Sequence, residues 1–163
     1  MVRRRSVGAL LSGALCVLGV VAAFGQPRPP AEFLADESVR HYVGLALANL
    51  GRAKCTNDQF CAPATPAEIA NPPISVDEAR AVIHRGTVSG VAEACGLEWV
   101  DRSFVAMMSY WRHSERKTER QMALIGLLHG IAQGEVSTAM SAKPCDAALR
   151  RDLDAQLSQA KKS

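Results

Sequence analysis

Four cysteines, Cys55, Cys61, Cys95 and Cys145, follow the apolar leader of this 163-residue chain. They restrict its folds more than any other feature, because a disulfide needs its two Cα atoms about 4.4–6.8 Å apart. An even count in an exported chain points to two bridges, with three possible pairings. The stretch between Cys95 and Cys145 separates the architectures. LEWVDRSFVAMMSYWRH places Val100, Phe104, Met107 and Trp111 on one helical face, and MALIGLLHGIAQG resumes an apolar helical pattern. Between them, RHSERKTERQ holds no apolar residue, and Thr118 with Gln121 has the spacing of a capping box. One continuous helix from Leu97 to Gln133 would be about 55 Å long, too long for its ends to be bridged directly, so that only a long return by the next segment could pair Cys95 with Cys145. A helical hairpin turning between His113 and Thr118 returns the chain to the level of Cys95. The sequence therefore predicts the hairpin, a Cys95–Cys145 bridge around it, and a Cys55–Cys61 bridge within the preceding loop.

The expected oxidation state follows from the first residues. Arg3, Arg4 and Arg5 precede an apolar run from Val7 to Phe24, and small residues follow. This order predicts a cleaved signal peptide over residues 1–25 and a periplasmic or secreted protein, where disulfides persist. The leader also explains the charge. The chain has 19 basic and 16 acidic residues, a net charge of +3. The leader carries three of the basic residues, and no acidic residue precedes Glu32, so the remainder is formally neutral. The basic pI thus belongs to the leader and gives no support for nucleic-acid binding.

Residues 26–163 read as a single helical domain. Gln26 to Pro30 is a stiff proline-rich lead-in. A first helix is expected from about Ala31 to Leu50, with Val39, Val43, Ala46 and Leu50 on one face. Residues 51–74, rich in proline and turn formers, read as a long surface loop with one short helical turn near Glu68. Ser75 and Glu78 form a capping box for a helix reaching about Cys95, which Gly96 can terminate. After Pro144, Leu149, Leu153 and Leu157 mark a terminal amphipathic helix. Aromatic residues are only 5% of the chain, which favours helices over a β-sandwich. The expected fold is all-α: a small disulfide-stapled bundle of four to five helices after a cleaved signal peptide, with no transmembrane segment in the mature chain.

The chemistry-bearing motifs are few. No GxSxG, HExxH or CxxC occurs, and no glycine-rich loop follows a strand. No catalytic residue, metal site or cofactor is assigned. Met107, Met108 and Met122 fall in apolar helical patterns, where methionine fills core. Gly86 and Gly90 repeat at four-residue spacing, as do Gly126, Gly130 and Gly134. Matched stripes of this kind predict two helices packed backbone to backbone. His129 lies beside the second stripe, and the expectation is a partly buried ring hydrogen-bonded to another helix. A ligand-facing His129 is the alternative, which would suit a small periplasmic enzyme or metal handler. Arg112, His113, Arg116, Lys117 and Arg120 make the hairpin turn locally basic, so it is a candidate contact for an anionic partner. The functional expectation is an accessory protein that acts by contact with a cell-envelope protein.

Overall fold

Three capping boxes set helix starts in this protein. The computed structural model describes residues 34–56 and 59–159, so the expected signal peptide (1–25) and proline-rich lead-in (26–30) lie outside the described residues. Thr65, Ser75 and Thr118 each accept a hydrogen bond from the backbone N–H three residues on, and Glu68, Glu78 and Gln121 reach back to the cap residue's own N–H. This reciprocal bonding satisfies donors that a helix start otherwise leaves orphaned. Helices α2 (Pro66–Ala70), α3 (Val76–Ala94) and α5 (Glu119–Met140) begin there. Helix α1 spans Asp36–Asn49, α4 spans Ala106–His113 and α6 spans Ala147–Gln159. The fold is all-α, stapled by disulfides Cys55–Cys61 and Cys95–Cys145, whose Cα atoms are 5.0 and 5.5 Å apart. None of the helices among the described residues is long and apolar enough to cross a membrane.

Helices α3 and α5 form the central pair, and α1 lies against both. The core contains Val39, Val43, Ala46 and Leu47 from α1, Val82 and Ile83 from α3, and Leu124, Ile125 and Leu128 from α5. Met107 and Trp111 add the inner face of α4. The α4–α5 hairpin turns at Ser114–Lys117, where Arg116 adopts a left-handed φ of 52°. Helix α6 closes the other end: Leu153 and Leu157 are buried, Arg150 donates to the carbonyl of Cys95, and Arg102 donates to Asp154 and Ser158.

Three local features differ from the sequence expectation. Residues 51–74 are more than a loop. The short helical turn expected near Glu68 is present as α2, but the segment adds a 3₁₀ turn, Leu50–Arg52, and a two-stranded hairpin of β1 (Lys54–Thr56) with β2 (Gln59–Phe60). The Cys55–Cys61 bridge ties the two arms of this hairpin together. The helix expected through Val100 instead begins with a π-helical segment, Val100–Val105, before α4. The wider π turn rotates Val100 outward, to 46% exposure, while Ser103 stays fully buried.

The glycine stripes supply the third difference. On α3 the packing reading is right in kind. A Cβ built at Gly86 would stand 2.5 Å from the carbonyl oxygen of His129, and one at Gly90 would stand 2.5 Å from that of Gln133. On α5 it needs correction, because Gly126, Gly130 and Gly134 are not on that seam. A Cβ at Gly130 or Gly134 would meet nothing within 4 Å, and one at Gly126 would meet only the Met108 methyl, at 3.8 Å. The α5 face that meets Gly86 and Gly90 carries His129, Ala132, Gln133 and Val136. Two bare backbones need not face each other: one glycine-lined helix already allows the approach, and its partner supplies the ridge of side chains.

Candidate functional site

His129 projects from α5 into the interior and is 1% exposed. Its Nε2 lies 3.0 Å from Ser89 Oγ on α3. Ser89 Oγ also lies 2.8 Å from Ser103 Oγ and 3.0 Å from the carbonyl of Arg85, one helical turn back. Both serines are fully buried. The imidazole ring stacks on Trp99 at 5.8 Å and leans on Phe104 at 4.9 Å. Burial first, and the positive charge of Arg85 second, push the His129 pKa down to about 4. His84 is shifted down by the same two causes. The cluster is therefore a neutral imidazole joined to two hydroxyls across three elements. His129 Nε2 and the two serine hydroxyls are engaged with one another inside the protein. Among the described residues there is no group of three or more His, Cys, Asp and Glu placed to hold a metal ion.

The basic hairpin is divided by its own ion pairs. Arg120 Nε and Nη2 donate to the two carboxylate oxygens of Glu68, at 2.5 and 2.7 Å. Its Nη1 and Nη2 also donate to the carbonyls of Ala62 and Pro63, at 2.8 and 3.1 Å. This fork holds the Glu68 carboxyl down at about 2. Lys117 pairs with Glu78, and its ammonium sits 5.6 Å over the Trp111 ring. Lys117 and Arg120 thus tie the hairpin to α2 and α3. Arg112 pairs with Glu119 at 3.2 Å, with both side chains nearly half exposed. His113 and Arg116 remain at the surface. The five basic residues do not form one outward patch.

The hairpin instead borders a groove. A cavity of about 530 Å³ runs between α4, α5 and β1. Phe104 and Met108 line it from the α4 side, and Leu127 and Ile131 from α5. Gly126 and Gly130 line it with bare backbone, which is where the α5 stripe has its effect. Lys54, Arg112 and Glu119 are the charged residues among the described residues of its lining. A mostly apolar concavity with a few charged groups has the composition of a recognition surface. The hydrophobic pattern and the glycine spacing were legible, but Ser89 and Ser103 as partners of His129 were not. Ser89 sits next to Gly90 on the buried face of α3, which was a usable signal. Ser103 lies one turn before Met107 and two before Trp111 on the same buried face, within a π segment that the sequence does not announce.

Comparison with known proteins finds no matching family model, no matching curated protein and no matching solved structure.

Proposed function

We propose that this chain is an exported binding protein of the cell envelope, acting by protein–protein contact through the groove between α4 and α5. The periplasmic or secreted location rests on the basic-then-apolar leader, and the two disulfides are compatible with it. The observation that carries the reading is the groove itself: apolar walls on two helices, glycine backbone along α5, and a charged edge at Lys54, Arg112 and Glu119. Gly126 and Gly130 cost α5 about 1 kcal/mol each relative to alanine. On α3 the comparable cost is offset by close packing, whereas on α5 it leaves an open surface. The contact expected there is an apolar ridge of a partner. His129 is weaker ground for an enzyme or a metal handler, since its Nε2 is occupied by Ser89 within the core.

The test uses the mature protein with a photo-crosslinking residue in place of Ile131, exposed to envelope extract. A discrete crosslinked partner is expected, and Gly130→Phe should abolish it by filling the groove while the protein still melts cooperatively. Gly44→Leu, at an unrelated open glycine, should leave it intact. No discrete product at Ile131, or one that Gly130→Phe does not reduce, overturns the reading.

A further inference from the structure

A second cavity, of about 460 Å³, lies between α1 and the segment that carries α2. Its apolar lining includes Val43 and Leu47 of α1, Ile69 of α2, and Pro72 and Ile74 beyond it. Attachments on the α5 side hold this segment in place. Arg120 grips Glu68 and the carbonyls of Ala62 and Pro63, and Gln121 donates to the carbonyl of Pro73 at 2.7 Å. On the α1 side, a Cβ at Gly44 would meet nothing within 4 Å. The segment is thus pinned from one side and leaves a gap on the other. Ile69, 63% exposed, stands at that gap.

Arg40 is the one ionisable side chain among the described lining residues. Its present partner is Asp36, at 3.2 Å, with both side chains more than half exposed. Such a pair contributes little and exchanges readily. Asp36 also pairs with Arg80, so it keeps a counter-charge when Arg40 turns elsewhere.

The geometry points to this cavity as a binding site for a small amphiphile: an alkyl chain in the apolar gap and a single carboxylate on the Arg40 guanidinium. The volume lies in the range of small-molecule sites. A guanidinium fork matches a carboxylate in two parallel hydrogen bonds. This site is separate from the α4–α5 groove and does not depend on what that groove binds.

The test is a titration of the mature protein with octanoate and with octan-1-ol, followed through backbone amide NMR shifts. Saturable shifts are expected at Gly44, Ala48, Ile69 and Ala70. Octanoate should bind about tenfold tighter than the alcohol, the effect of one charge-assisted contact at a partly exposed site. Arg40→Gln should remove that preference and leave octan-1-ol binding unchanged. Gly44→Leu should abolish binding of both while melting no lower than the parent. Shifts that do not saturate, shifts centred on Gly126 to Ile131, or an octanoate preference that survives Arg40→Gln would each overturn the assignment.

Discussion

Replacing glycine by alanine at two positions in this protein should change stability in opposite directions. At Gly130, in the interior of α5, the new methyl meets nothing within 4 Å. The substitution then acts only through backbone freedom, and a helical glycine-to-alanine change is worth about 1 kcal/mol. The melting temperature should rise by about 3–5 °C for a chain of this length. At Gly86, in the interior of α3, the same methyl would stand 2.5 Å from the His129 carbonyl oxygen, 2.9 Å from the Ala132 Cβ and 3.3 Å from the Gln133 nitrogen. Two of those three atoms are backbone and cannot swing aside. The α3–α5 seam must open by something on the order of 1 Å to reach ordinary contact distances. Overpacking costs commonly run to about 3 kcal/mol, and here the loss extends along the whole seam. After subtracting the helix-propensity gain, a net loss of about 2 kcal/mol is expected, so the midpoint should fall by about 6–10 °C. The change to the unfolded chain is the same in both variants, so their difference isolates the close approach. Urea and thermal unfolding of the two variants beside the parent, read by circular dichroism, make the comparison. A stabilised Gly86→Ala, or two shifts of the same sign, would refute the packing argument.

Two further outcomes follow from the core and the bridges. The folded pKa of His129 is about 4, below its unfolded value of 6.5, so the unfolded chain takes up the proton first; stability is complete above about pH 6.5 and declines as pH falls toward 4, by up to about 3 kcal/mol. Urea midpoints at pH 7 and pH 5 should diverge less in His129→Gln than in the parent, and an unchanged divergence would remove His129 from the account. Opening the Cys95–Cys145 bridge with a paired Cys95→Ser and Cys145→Ser variant frees a loop of 50 residues and should cost about 4 kcal/mol in the chain-entropy model; a midpoint within 1 °C of the parent would show that the hairpin holds without it.

What the sequence disclosed, it disclosed through local rules. The boxes at Ser75 and Thr118 fix the starts of α3 and α5 because their hydrogen bonds span only three residues. The polar run after Trp111 marks the hairpin, since no apolar residue in it could face a core. The Cys95–Cys145 pairing was legible because the hairpin brings those ends together more directly than a long helix with a long return would. Misreadings arose where the outcome depends on a partner in space. Stripe matching treated all the glycines as seam residues, although spacing does not say which of two stripes faces the other helix. Likewise Lys117 and Arg120 looked like an outward charge cluster because their partners, Glu78 and Glu68, are remote in sequence. The π segment was hidden because VDRSFV also fits an α-helical pattern, and only the Ser103 contact with Ser89 shows what the wider turn achieves.

That turn joins the buried cluster to the groove. Phe104 belongs to the π segment, lies 4.9 Å from the His129 ring and also lines the α4–α5 groove. Its neighbour Ser103 is bonded to Ser89, which is in turn bonded to His129. Buried hydroxyls left without partners cost about 1–3 kcal/mol each, so these hydrogen bonds help to hold the segment against α3. The groove wall is thereby positioned by polar contacts in the core. The neutral state of His129 matters for the same reason. A protonated ring would add a charge beside Arg85 in a site with little solvent. Through Ser89 and Phe104, His129 thus helps to hold the turn that sets one wall of the groove.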